Sequence, residues 1–226
     1  MWSVPVKQDT RHFAEELEQV KQRLLIMAGL AQERVSVSMQ ALVKRDPALI
    51  AEVITGDQVI NQLHLEIDDR CFKLLALHQP MAVDLRMIVS ALKINTDLER
   101  VGDLAVNIGE AAQRYVGHAP VKPLIDLPRM GDMAQRMLHD ALEAFVTRSV
   151  DTAHAVLAQD DLLDALKDQM FRELLTYMLG DPRTIEPGID LILIARHLER
   201  IGDHATNIAE DVIFIVEARD VRHHAH

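Results

Sequence analysis

The residues best suited to chemistry in this chain are acidic, and they occur twice at one spacing. ERVGDLAVNIGE, Glu99 to Glu110, returns as ERIGDHATNIAE, Glu199 to Glu210. Glu99, Asp103, Asn107 and Glu110 are matched by Glu199, Asp203, Asn207 and Glu210. On an α-helix each set falls within about 80° of arc, one polar stripe on an otherwise apolar rod. Carboxylates one turn apart destabilise a helix by roughly 0.2–0.5 kcal/mol per pair. A repulsive stripe repeated in register predicts a cation held there.

One stripe offers too few ligands, so a metal site requires acidic residues at the same height on a neighbouring helix. Asp57 and Asn61 precede the first copy, and Asp160 and Asp164 precede the second. In an antiparallel hairpin, residues at equal height have numbers with a constant sum. Asp57 with Asp103, and Asn61 with Glu99, share one sum, whose midpoint is Pro80. Asp160 with Asp203, and Asp164 with Glu199, share another, whose midpoint lies between Asp181 and Pro182. Both midpoints are independent helix-break signals. The bland alternative is a solvated face, with Arg100 and Arg200 in surface ion pairs worth little and Asn107 and Asn207 cross-linking helices.

An all-oxygen ligand set suits hard or borderline cations such as Mg, Mn, Ca or Fe over a sulfur-rich Zn site. Bridging carboxylates allow more than one ion. His197 lies about 160° around the helix from Glu199 and points elsewhere. His204 adjoins Asp203 and is a secondary candidate ligand. The terminal RHHAH, Arg222 to His226, is read as a frayed tail. Gly102 and Gly202, inside these helices, predict close approach of another backbone or a ligand, or a tight helix crossing.

Long helices must position these residues. Phe13, Leu17, Val20, Leu24, Met27, Ala31, Val35, Ser38 and Leu42 recur by threes and fours, predicting a helix capped near Asp9 or Thr10 and ending near Asp46 and Pro47. A second runs from Pro47 to before Pro80, with Gly56 as a weak point, and a third from about Met81 to Tyr115. VGHAPVKPLIDLP follows, carrying one Gly and three Pro. Beyond it the plan repeats, with a fourth helix through Met130 and Phe145, a fifth through Val156 and Leu174, and a sixth over Ile192 to Glu217. The expected fold is all-α: two tandem, sequence-related three-helix bundles, six long helices. The expected divisions are 1–117, a linker 118–125, and 126–226. Met27, Met39, Met130, Met133 and Met137 read as core filling.

Bulk properties agree with packed helices. Of 226 residues only 4% are aromatic, and the net charge of −11 argues against a nucleic-acid surface and for cationic partners. Cys71 is the only cysteine, which excludes an internal disulfide, fits the cytoplasm, and reads as a small core residue. The start of the chain has no signal-peptide pattern and no apolar run is long enough for a membrane span. Membrane contact is therefore expected through partner proteins alone.

The two copies of ER-V/I-GD with a following Asn-Ile, QPMAVDLR at Gln79 to Arg86, and MLGDPRTI at Met178 to Ile185 resemble the PhoU family of the phosphate-specific transport system. The resemblance extends from about Thr10 to about Arg222. It implies two similar three-helix bundles with metal clusters on Glu/Asp-x-x-x-Asp motifs, here Asp57 with Asn61, Glu99 with Asp103, Asp160 with Asp164, and Glu199 with Asp203. Fe, Mn, Mg or Zn would be the cofactor. Asn61 replaces a carboxylate, so the first set should be weaker or hold fewer ions. The resemblance further implies a cytoplasmic regulator, peripheral to the inner membrane, that acts with the phosphate ABC transporter and its ATPase subunit. It would restrain a phosphate-sensing histidine kinase, as a negative regulator. Asp84, Arg86 and Arg183 match family positions and are candidates for a partner surface, with helix-end electrostatics as the rival account.

The expectation is thus a non-enzymatic regulator, and a homodimer, because each three-helix unit has an apolar face to cover. The alternative is a carboxylate-bridged metal enzyme. Its ferritin-like form requires Glu-x-x-His pairs on facing helices, and the sequence contains none. Neither a phosphate-cradling Gly-rich loop nor a Ser or Cys nucleophile paired with a base is evident.

Overall fold

The computed structural model describes residues 6–56 and 58–221 and, among them, is built from helices without strands. The elements are α1 (Val6–Lys44), α2 (Pro47–Thr55), α3 (Gln58–His78), α4 (Val83–Val116), α5 (Asp126–Thr147), α6 (Val150–Leu157), α7 (Asp160–Gly180) and α8 (Ile185–Glu217), with a single 3₁₀ turn at Pro182–Thr184. They form six rods. The second rod is α2 and α3, broken at Gly56, and the fifth is α6 and α7, broken at Ala158 and Gln159. Glycine costs about 1 kcal/mol in a helix interior, so the second rod breaks where propensity is poorest.

Local chemistry explains most of the boundaries. Asp46 caps α2, its Oδ1 accepting from the Ala48 amide at 2.9 Å, and Pro47 fills the first turn, where a missing N–H costs nothing. Ser149 caps α6 by accepting from Thr152 N at 3.2 Å. Asp181 accepts from Arg183 N at 3.0 Å and starts the 3₁₀ turn that leads into α8. The first helix begins at Val6, ahead of the expected Asp9 or Thr10 cap. Lys7 and Gln8 are good helix formers, and no breaker stops the extension.

One continuous core runs through both halves, from Leu24, Met27 and Leu42 on α1 to Leu198, Ile201 and Ile208 on α8. Met27, Met130 and Met137 are fully buried, and Met39 packs its side chain over Gly131, linking α1 to α5. Cys71 is buried in this core. Desolvation first, and the nearby Asp68 carboxylate second, push its thiol up to about 12, so it is an inert core residue.

The two halves meet where α4 lies against α8. Lys93 Nζ pairs with Asp211 at 3.0 Å and Arg114 Nε with Asp190 at 2.8 Å, so positions rise along one helix as they fall along the other. The two helices are antiparallel. Arg86 reaches the carbonyl of Ile215, donating at 3.2 and 3.3 Å to the last turn of α8. At the opposite end of α4, Arg45 lies 5.2 Å from the Tyr115 ring centroid and donates to the Val116 carbonyl at 2.8 Å. Both helix C-termini thus have a guanidinium on carbonyls that the helix leaves unpaired.

Asp190 and Asp211 have side chains only 5% and 6% exposed, so their cationic partners hold charges that water no longer solvates. Removing the cation should cost more than removing the pair. Arg114→Met is expected to destabilise the protein by about 1–3 kcal/mol in urea unfolding, the exposed Arg moderating the full buried-pair value. Arg114→Met with Asp190→Leu should recover most of that loss.

Candidate metal centre

In the second half, the acidic residues of α7 and α8 are neighbours. Asp160 and Asp164 on α7 act electrostatically on Asp203, and Glu199 acts on both Asp160 and Asp203. Packing around a glycine makes this approach possible. A Cβ on Gly202, the residue before Asp203, would lie 2.5 Å from Leu163 Cδ2, and Leu163 sits between Asp160 and Asp164 in sequence and is fully buried. Gly202 therefore lets α7 settle onto α8 at the height of the carboxylates. What approaches Gly202 is side chain, Leu163 and then Met137, and not another backbone, which accords with the tight helix crossing of the two alternatives.

The crowding shows in the protonation equilibria. Partial desolvation, then the carboxylates of Glu199, Asp160 and Asp164, push Asp203 up to about 6. Asp160 is raised by desolvation first, then by Asp164, Asp161 and Glu199. A lysine relieves part of this charge, Lys167 Nζ sitting 2.6 Å from Glu199 Oε1 and 3.0 Å from Asp164 Oδ1, and His204 offsets Asp203 to a smaller degree. The hydrogen bond of Lys167 to Glu199 leads the interactions that raise the lysine above its ordinary range.

In the first half, Asp57 lies outside the described residues. Asn61 is exposed on α3, while Glu99 and Asp103 are half-buried on α4. Arg100 joins the latter two, with Nε 3.4 Å from Glu99 and Nη1 3.0 Å from Asp103. Gly102 is buried at the height equivalent to Gly202.

The rest of the stripe has other surroundings. Asn207 Nδ2 donates to Asp97 Oδ1 on α4 at 3.2 Å, so it faces the other half and not α7. His204 Nδ1 lies 2.8 Å from the same Asp97 oxygen. Asn107 is half-buried and Glu110 exposed on α4, and Glu210 is half-buried on α8. His197 points away from the acidic cluster; burial first, then Arg200, Arg196 and Arg114, push it down to about 4, and its Nδ1 is buried without a hydrogen bond. Among the candidate partner residues, Asp84 is exposed at the start of α4, Arg86 is engaged with Ile215, and Arg183 is 90% exposed and paired with Asp181 at 2.9 Å. The RHHAH tail lies outside the described residues.

Two clusters escaped the sequence reading. The contact of Asp97 with His204 and Asn207 joins residues more than a hundred positions apart, and its register depends on how α4 meets α8. His139, Asp140 and Glu143 place ligand atoms within 4.8 Å of one another, the one such trio among the described residues. Their spacing by one and three residues could have found it. All three come from α5, two of them exposed, with no second element contributing.

The raised Asp203 gives a pH dependence of defined sign. The folded state binds this proton more tightly than the unfolded chain does, so the ionised group destabilises the metal-free protein above about pH 6, and stability returns as pH falls from about 6 towards 4. Asp203→Asn should raise the metal-free melting temperature at pH 8, with the advantage over wild type fading by pH 4. An advantage independent of pH would contradict the crowding.

With this geometry in view, comparison with known proteins is specific. The PhoU domain model matches residues 24–112 and again 127–212, one match in each half. A phosphate-specific transport system accessory protein PhoU homolog of Caulobacter vibrioides is 43% identical over 205 residues, 90% of this chain and 89% of that protein. The homolog of the same description from Pseudomonas aeruginosa is 40% identical over 95% of this chain and 89% of its own length. Among solved structures, PhoU from Pseudomonas aeruginosa superposes with a TM-score of 0.89 at 39% identity, covering 92% of this chain and 100% of that one. The phosphate transport system regulatory protein PhoU from Streptococcus pneumoniae gives 0.85 at 29% identity, over 92% and 99%. A duplicated domain, matched in both halves and over nearly the full length of these relatives, establishes that the chain belongs to the PhoU family.

Proposed function

We propose that this chain is an accessory regulator of phosphate-specific transport, acting in the cytoplasm on the phosphate ABC transporter through its ATPase subunit and restraining a phosphate-sensing histidine kinase. The observation that carries the reading is the similarity, over nine-tenths of the chain, to proteins named as accessory proteins of that transport system. Among the described residues no helix is long and apolar enough to cross a membrane, so partner contact is the route to a transporter. Exposed apolar side chains on α3 and α7, including Leu65, Phe72, Phe171 and Leu175, leave area for a partner or a second copy.

The reading includes a metal centre in each half. The donor chemistry fits: Asp160, Asp164, Glu199 and Asp203 are all oxygen donors on two facing helices, close enough to repel one another and with more negative charge than Lys167 offsets. No three of them place ligand atoms within 4.8 Å of one another, so a bound ion would have to draw them in. A divalent or trivalent ion there would supply the missing positive charge and tie α7 to α8. In the first half Glu99 and Asp103, with Asp57 and Asn61, would play the corresponding part. We assign the protein a binding role and no catalytic one; Cys71, buried with its thiol pushed up to about 12, is not available as a nucleophile.

Two measurements test this. Elemental analysis of the purified protein should find divalent or trivalent metal that is lost in Asp103→Ala with Asp203→Ala; equal content in the double variant removes the metal assignment. Pull-down with the transporter ATPase and with the histidine kinase should capture both, and a deletion strain should express its phosphate-starvation reporter in high phosphate. Binding to neither partner would leave the regulatory reading without support.

A further inference from the structure

The cation in the second acidic cluster belongs to the protein itself. Lys167 arises from α7, three residues beyond Asp164, and spans the interhelix gap to Glu199 on α8. It thus holds one carboxylate from each helix, the two helices a metal ion would bridge. Its side chain is 27% exposed and Glu199's is 17%, so this pair is better shielded than the Arg100 pairs, in which the Arg100 side chain is 54% exposed. Shielding lowers the effective dielectric and strengthens the competition any entering cation meets.

The first half lacks this arrangement among the described residues. The position equivalent to Lys167, three beyond Asn61, is His64. Its Nε2 lies 3.6 Å from Asp68 and its Nδ1 is 3.4 Å from the Asn95 carbonyl oxygen, so it turns to groups other than Glu99. Asn95 in turn donates to the His64 carbonyl and to Asp68, both at 2.9 Å, which fixes that orientation. The two halves, alike in their motifs, differ in whether a lysine stands among the ligands.

We propose that Lys167 is a built-in competitor for the second metal centre: its ammonium holds Asp164 and Glu199 together when metal is absent, and metal enters only by displacing it. The inference rests on the metal reading above. A groove of about 360 Å³ adjoins the Lys167–Glu199 pair, lined by both of them with Asp168, Phe171 and Arg196, and offers room for the displaced side chain. Metal occupancy at this centre is therefore coupled to the shape of a groove between α7 and α8. The second centre requires a higher metal concentration than its four oxygen donors alone would need.

The test is a titration of the full-length, metal-free protein with Mn²⁺, followed by electron paramagnetic resonance of the free ion and by the metal-induced rise in melting temperature. Wild type, Lys167→Met and Lys167→Arg are compared, each also in an Asp103→Ala background so that the second centre is read alone. Lys167→Met should bind Mn²⁺ about tenfold or more tightly than wild type, the effect of removing one nearby positive charge. Without metal it should melt at a lower temperature, and with saturating metal at or above the wild-type value. Lys167→Arg, which keeps the charge, should stay within about threefold of wild type, about 0.7 kcal/mol or less. Equal or weaker binding by Lys167→Met overturns the competition while leaving the metal centre standing. No Mn²⁺ uptake by any variant overturns both.

Discussion

The structure depends on α4 lying antiparallel against α8. Each helix is the last of its half and bears the duplicated motif, and each packs on its own bundle along one side and on its twin along another. Few positions remain for polar groups, and those at the seam must be paired across it. Lys93 with Asp211, Arg114 with Asp190, and Asp97 with His204 and Asn207 meet that requirement. Glu199 and Asp203 fall on the side where α8 faces α7 of its own bundle.

That geometry gives one motif two kinds of work. Glu199 and Asp203 face the hairpin partner, where packing of Leu163 over Gly202 concentrates negative charge. Asn207, one turn further, faces the other half. Any change in how α7 rests on α8 therefore acts on a helix that also sets the relation of the halves. A cation in the cluster, whether a metal or the Lys167 ammonium, lies close to the joint of the whole molecule.

Duplication has left the halves similar in plan and different in detail. Asp190 and Asp211 are buried acids on α8, and the equivalent places on α4 are Ser90 and Ala111. Lys167 corresponds to His64, and Asp164 to Asn61. Each substitution replaces charge in one half with a neutral or weakly basic group in the other. A symmetric backbone can thus present two unlike electrostatic environments.

The sequence by itself determined the helices and the heights of the acidic residues along them. The period of Leu17, Val20, Leu24 and Met27, the proline breaks at Pro47 and Pro182, and the matched spacing of Asp160 and Asp164 with Glu199 and Asp203 are local signals, set by side-chain sterics and helical repeat. They were enough for six rods, two related bundles and a predicted acidic cluster on the α7 and α8 hairpin. What the sequence left open is what touches that cluster and what crosses between the halves. Lys167 reads as an ordinary helical lysine until Glu199 is found 2.6 Å away, and His204 reads as a neighbour of Asp203 until Asp97 meets it from α4. Only the tertiary structure decided these, because rotation and offset between packed helices are set by the sum of many core contacts, and no single spacing encodes them.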